Sequence, residues 1–148
     1  FGKSASAVAV DIGTQYRELI RGLDIGVSWQ NIGTKLKYIS EKESLPATIR
    51  IGATYKKMLG EHLLTGCIDF PYYTNEKEIL ILVGCEFLYK NLLAVRMGYR
   101  LNLTDLSRED ELLNIGVGFR WKQYTLDYAL GITRNLSTPH YISINMKI

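Results

Sequence analysis

The stretch LNIGVGFRWKQYTLDYAL, residues 113–130, carries the pattern that decides the fold of this chain. Apolar or aromatic residues alternate with polar residues or glycine, as in Leu113, Asn114, Ile115, Gly116, Val117, Gly118, Phe119, Arg120 and Trp121. The alternation resumes at Tyr124, after Lys122 and Gln123. Because successive side chains of a β-strand point to opposite faces, this stretch predicts two antiparallel strands joined by a short turn.

The same alternation recurs along the whole chain. It predicts nine strands, at residues 8–17, 23–31, 47–55, 63–70, 79–89, 93–102, 113–121, 124–130 and 140–148. Short connections, at 18–22, 56–62, 90–92 and 122–123, alternate with longer ones, at 33–46, 71–78, 103–112 and 131–139. Alternating short and long connections are typical of an antiparallel, up-and-down transmembrane β-barrel, so we predict an all-β fold of this kind.

Composition fits one folded unit and excludes several classes of protein. The 148 residues are 47% hydrophobic and 22% charged, which predicts a single domain, or a piece of one barrel, over residues 1–148. The net charge is +3, and the scattered Lys and Arg do not form the basic patch that nucleic-acid binding requires. No apolar run approaches the roughly 20 residues that a transmembrane helix needs.

Charged residues on the polar faces of the predicted strands indicate which face is inside. These residues are Asp11, Asp24, Arg50, Asp69, Glu86, Arg96, Arg100, Arg120 and Asp127. Most lysines are placed in loops or at strand ends, whereas a water-facing sheet normally carries lysine along its strands. Glycines also repeat on the polar faces, where they leave room for large neighbours. We therefore expect the charges to line a lumen, with the four arginines paired to carboxylates on neighbouring strands.

Aromatic residues on the apolar faces gather at the short-turn ends of the strands. They are Tyr16, Tyr55, Phe87, Tyr89, Phe119, Trp121 and Tyr124. Trp29, Phe70 and Tyr99 form a sparser set toward the other rim. Aromatic girdles of this kind mark the two membrane–water interfaces of a barrel, so the apolar faces are predicted to contact a lipid bilayer. The alternative is a soluble lipid-binding barrel, in which the same residues would form the core.

Several phrases, in their order, resemble one family. They are VSWQNIG (27–33), LPATIRIGATY (45–55), GCEF (84–87), VRMGYR (95–100), GVGFR (116–120), LDYA (126–129) and HYISI (140–144). Together they resemble the C-terminal two-thirds of the PorV/PorQ-like outer-membrane barrels, which are similar to the FadL transporters of hydrophobic compounds. The resemblance implies a bacterial outer-membrane protein of type IX secretion that binds secreted cargo or secretion-system subunits. A FadL-like channel for hydrophobic small molecules is the alternative.

The strand count and the chemistry add further expectations. Bacterial single-chain barrels usually have an even number of strands, so nine strands predict an open sheet that lacks an odd number of N-terminal strands. Cys67 and Cys85 fall on opposite faces and are expected to stay unbonded. His62 and His140 are far apart in sequence and are read as rim residues rather than metal ligands. We predict no enzymatic activity, no cofactor and no metal.

Overall fold

A single antiparallel sheet dominates the computed structural model, which describes residues 8–33, 36–38, 41–43, 47–104, 112–132 and 138–147. The sheet has nine strands in the order β1-β2-β5-β6-β7-β8-β9-β10-β11. Strands that are successive along the chain are therefore neighbours in the sheet, apart from β3 and β4, which lie outside it. Its strands are β1 (Ala9–Ile20), β2 (Leu23–Gly33), β5 (Thr48–Leu59), β6 (His62–Tyr73), β7 (Glu78–Tyr89), β8 (Leu93–Asn102), β9 (Leu112–Trp121), β10 (Tyr124–Ile132) and β11 (His140–Met146). The predicted all-β, up-and-down fold is confirmed.

The observed strands differ from the predicted ones mainly at their ends. β5 continues to Leu59, four residues beyond the predicted end, so Lys56 and Lys57 are strand residues and not turn residues. The turn that follows β5 is only Gly60 and Glu61, because Leu59 pairs with His62. The alternation did not predict this extension, because Lys56 and Lys57 are two neighbouring polar residues where an apolar and a polar residue should alternate. Ile148, the predicted end of the last strand, lies outside the described residues.

The predicted long connection 33–46 contains two further short strands. β3 (Leu36–Tyr38) and β4 (Glu41–Glu43) pair antiparallel as a separate two-stranded sheet. The segment connects β2 to β5, as predicted, and the two short strands within it were not predicted. Strands of three residues are too short for alternation to distinguish them from a polar loop.

A β-bulge lets β2 run past its predicted end. Val10 pairs with Ile32, but Ile12 pairs with Trp29, so β2 holds one residue more than β1 between these pairs. Asn31 has a φ of 58° there, and its N–H donates to Asp11 Oδ1 over 2.7 Å. The extra residue returns Ile32 to the apolar face, which preserves the alternation of the sheet across the irregularity.

The sheet is open. Within the described residues β1 pairs only with β2 and β11 only with β10, as we expected from the odd strand count. Since every neighbour reverses direction across nine strands, the two edge strands run the same way. Direct pairing of β11 with β1 would therefore create one parallel pair in an otherwise antiparallel sheet.

Burial is inverted relative to an ordinary sheet in water. Large hydrophobic side chains such as Val27, Ile51, Val117 and Leu126 are 45–55% exposed. In the described part of the chain, the buried apolar side chains Leu80, Leu88 and Ala94 share a face with the charged residues. Stronger shielding of the polar face indicates that it is the concave one. None of the described residues forms a helix long and apolar enough to cross a membrane.

Candidate functional site on the polar face

The strand register brings most of the predicted inward charges onto one face. Residues paired across neighbouring strands point to the same side of a sheet. Following the register from β2 to β10 places eight of the predicted charges on one side: Asp24, Arg50, Asp69, Glu86, Arg96, Arg100, Arg120 and Asp127. Their register partners on the same side include Thr54, Gly52, Gly84, Gly116, Gly118 and Thr125. We call this surface the polar face. Asp11 lies beside the bulge at Asn31. That the polar face lines a lumen stays a prediction.

Three charges form a triad across four strands. Arg96 Nε on β8 donates to Glu86 Oε2 on β7 over 2.6 Å, and Arg96 Nη1 donates to Asp127 Oδ1 on β10 over 2.5 Å. About a third of the Arg96 side chain and a quarter of each carboxylate side chain are exposed. One guanidinium therefore bridges two carboxylates in a partly shielded site, where charge-assisted hydrogen bonds are strong.

Two glycines on β9 make the triad possible. Gly116 pairs with Arg96 and Gly118 pairs with Asp127, so β9 lies between the two charged residues. A Cβ at Gly118 would lie 2.9 Å from Arg96 Nη1 and inside van der Waals contact of Asp127 Oδ1. Because neither glycine has a side chain, the Arg96 side chain can extend across β9 and reach Asp127 on β10. Sequence reasoning predicted room on this face but not a contact between strands that are not neighbours.

A second ion pair joins β5 and β6. Arg50 Nε donates to Asp69 Oδ2 over 2.9 Å, and Arg50 Nη2 reaches the same oxygen. Asp69 pairs in register with Gly52, so Arg50 lies diagonally across from it. A Cβ at Gly52 would lie 3.1 Å from Asp69 Oδ1. Glycine thus again leaves space for a carboxylate that serves an arginine on the neighbouring strand.

The third pair corrects the expected partner of Asp24. We expected an arginine, but Lys56 Nζ donates to Asp24 Oδ2 over 2.9 Å. The backbone N–H of Glu18 donates to Asp24 Oδ1 over 3.0 Å, and Asp24 is 8% exposed. Lys56 was missed because it was assigned to a turn. The extension of β5 places it diagonally from Asp24, on the polar face.

The prediction that all four arginines meet carboxylates is wrong for two of them. Arg100 is exposed and makes no ion pair with another described residue, since its register partners are Leu82 and Leu112. Arg120 Nη1 donates instead to Asn91 Oδ1 over 3.3 Å. The direct register partners of Arg100 are leucines and that of Arg120 on β10 is Thr125. Asp127 lies diagonally across from Arg120, but its carboxylate is engaged by Arg96.

The polar face forms two troughs. One, of about 580 Å³, includes Asp24, Arg50, Cys67 and Asp69 in its lining. The other, of about 370 Å³, includes Glu86, Arg96 and Asp127. Most of the charges in both troughs are neutralised within the ion pairs. No group of three metal-ligating side chains occurs among the residues that the structure describes.

The two cysteines are free, as predicted. Cys67 pairs in register with Gly84 on the polar face, and a Cβ at Gly84 would lie 3.0 Å from Cys67 Sγ. Cys85 pairs with Met97 on the opposite, apolar face. The two thiols therefore lie on opposite faces of the sheet.

The predicted aromatic girdle lies on the opposite side of the sheet, which we call the apolar face. All seven residues are exposed there, from Phe87 at 38% to Tyr16 at 62%. The structure adds His62, whose ring stacks on Tyr89 with centroids 4.6 Å apart. It also adds two lysines, because Lys90 Nζ lies 5.8 Å from the Tyr89 ring centroid and Lys122 Nζ 5.4 Å from that of Trp121.

Comparison with known proteins identifies no relative. No protein-family model, curated protein or solved structure matches the chain.

Proposed function

We propose that this chain forms part of the wall of a bacterial outer-membrane β-barrel that serves protein secretion or surface assembly as a docking and transport component. The observation that carries the membrane part of the proposal is the inverted burial. Large apolar side chains cover the exposed face, whereas paired charges occupy the shielded face. A soluble barrel would hide the apolar face in its core, and membrane barrels turn it to lipid.

Strand length supports the same proposal. Four strands of the sheet, β1, β5, β6 and β7, each have 12 residues. A tilted transmembrane strand needs about 9–11 residues to cross the hydrocarbon core. These strands are long enough to span a bilayer and to present their aromatic ends at its surface.

Closure follows from the two edges. In a bilayer the unpaired N–H and C=O groups of an edge strand each cost several kcal/mol, so β1 and β11 require partners. An odd number of additional strands between β11 and β1 keeps every neighbour antiparallel, because the two edges run the same way. The complete barrel in this proposal therefore has an even number of strands.

The role in secretion is the finer part of the proposal and is supported by the resemblance to PorV/PorQ-like barrels. Deleting the gene in its bacterial host tests it. We expect secreted proteins to be retained in the periplasm and to be lost from the cell surface. Unchanged secretion together with lost uptake of hydrophobic compounds would contradict this role and favour a FadL-like channel.

The two free cysteines provide the test of the membrane arrangement. The test uses the complete barrel with every cysteine other than Cys67 and Cys85 replaced. In its Cys67→Ser variant, Cys85 is labelled with bimane before refolding into vesicles and should be quenched by lipids brominated on their acyl chains. In Cys85→Ser the label on Cys67 should be quenched by iodide in the water phase. Quenching of Cys67 by brominated lipid and of Cys85 by iodide would reverse the two faces. Quenching of neither label by lipid, in a protein that stays soluble without detergent, would favour the soluble barrel.

A further inference from the structure

The two rims of the sheet differ in charge. We define the short-turn rim as residues 17–24, 56–62, 90–92, 120–125 and 146–147, which hold eight Lys or Arg and three Asp or Glu. At the opposite rim, the described residues 36–38, 41–43, 72–79, 102–104 and 138–140 hold three Lys and four Glu. Among the described residues, positive charge is therefore concentrated at the short-turn ends of the strands.

The cations recur around the short-turn rim with the hairpins. Each of the four short turns, and the end of β11, has an exposed cation in it or beside it, and these are Arg21, Lys57, Lys90, Lys122 and Lys147. We call this set the basic collar. Successive hairpins are two strand spacings apart, so neighbouring cations are separated by roughly 10 Å along the rim. The cations of the collar are thus distributed along the short-turn rim of the sheet and do not form one compact patch.

The three carboxylates of the same rim are too few to neutralise its eight cations. Asp24 is engaged by Lys56, which is not a member of the collar. Glu61 approaches Lys90 Nζ only to 3.6 Å, and both side chains are more than half exposed. An ion pair of this kind contributes little in water, so Lys90 remains available to another anion.

The collar adjoins the aromatic girdle. Lys57 follows Tyr55 by two residues on the apolar face, while Lys90 and Lys122 directly follow Tyr89 and Trp121 and lie near their rings. Aromatic rings of this type lie at the level of lipid headgroups, and lysine extends its ammonium from the apolar surface toward the polar layer. The ammonium groups would thus lie at the depth of the headgroup phosphates.

We propose that the basic collar binds the anionic phospholipid headgroups of the leaflet on the short-turn side. The proposal rests on the proposed membrane arrangement and adds the lipid class and the side of the membrane. Attraction of basic side chains to an anionic surface is substantial for each Lys or Arg and acts only within a Debye length. The collar would fix the vertical position of the barrel and enrich anionic lipid around its short turns.

Two native tryptophans, one near each rim, allow a matched test. The Trp29→Phe variant keeps Trp121 next to the collar, and the Trp121→Phe variant keeps Trp29 near the other rim. Each variant is made in the complete barrel, with any tryptophan other than Trp29 and Trp121 replaced by Phe, and is refolded into phosphatidylcholine vesicles that contain the same small fraction of brominated phosphatidylglycerol or brominated phosphatidylcholine. We expect the local lipid fraction derived from Trp121 quenching to be about threefold higher for phosphatidylglycerol, and that from Trp29 to be equal for the two lipids.

Charge variants complete the test. Replacing Lys57, Lys90 and Lys122 together by Gln should abolish the preference at Trp121, whereas the matched Lys37, Lys42 and Lys77 triple variant at the other rim should keep it. Salt at 1 M should also remove it. Equal quenching of Trp121 by both lipids would overturn the collar proposal while leaving the membrane proposal intact. Quenching of neither tryptophan by either lipid would overturn both.

Discussion

The two faces of this sheet are built by the same strands, yet they are held in place by different forces. On β9, Val117 and Phe119 are exposed, whereas Gly116 and Gly118 beside them are buried beneath Arg96 and Asp127. The polar face depends on specific partners at specific distances, such as Arg96 with Glu86 and Asp127. The middle of the apolar face is made of exposed hydrophobic side chains such as Val27, Ile51 and Val117, and ring contacts such as His62 with Tyr89 lie at its short-turn end. The difference teaches that one sheet can hold specific partners on its polar face while its apolar face requires few specific contacts.

The largest expected effect is a loss of unfolding free energy when an arginine is placed on the apolar face. Val27→Arg places a guanidinium at mid-strand on the apolar face, next to Ile51 in register. Unfolding in urea from lipid vesicles should show a loss of about 2–4 kcal/mol. The control Thr54→Arg lies on the polar face opposite Asp24 and should lose less than about 1 kcal/mol. Equal losses for the two variants would show that the faces do not differ in their surroundings.

The next effect concerns the triad on the polar face. Arg96→Gln leaves Glu86 and Asp127 without their shared cation in a partly shielded site. We expect a loss of about 2–3 kcal/mol in the same unfolding measurement, somewhat below the cost of breaking a fully buried pair.

Arg100 provides the matched control for the triad, because it lies on the same strand and face and makes no ion pair with a described residue. Arg100→Gln should change the unfolding free energy by less than about 0.5 kcal/mol. If the two variants behaved alike, the ion pairs of Arg96 would contribute nothing that Arg100 lacks.

The smallest effect tests the glycine path on β9. Gly118→Ala introduces a Cβ against the Arg96 and Asp127 contact, which must then lengthen, and should cost about 1–2 kcal/mol. Gly98→Ala is the control, since the nearest atom to its Cβ is 3.7 Å away and alanine has a smaller unfolded-state entropy. It should be neutral or stabilising by up to about 1 kcal/mol.

Combining Gly118→Ala with Asp127→Asn distinguishes loss of the ion pair from general crowding. The two losses should not add, because both changes weaken the same contact. Full additivity would mean that Gly118 serves backbone geometry and not the path of Arg96.

The sequence predicted the face on which each charged residue lies, but it predicted ion pairs only between adjacent strands. The alternation placed Asp24, Arg50, Arg96 and Asp127 on one face, because the two-residue period of a strand is independent of its neighbours. The Arg50 and Asp69 pair was within reach of the same reasoning, since it joins adjacent strands. The contact from Arg96 to Asp127 was not, because it requires the register of three strands and two glycines in the middle one.

The sequence by itself determined that the chain is an antiparallel sheet with one apolar and one polar face, because alternation and turn residues act over a few neighbouring positions. Only the tertiary structure decided the partner of Asp24, the bulge at Asn31 and the contact from Arg96 to Asp127. Each of these depends on where strands begin and end relative to one another. A strand can continue through residues that break its own pattern, as β5 does at Lys56 and Lys57, when the neighbouring strand supplies its hydrogen bonds.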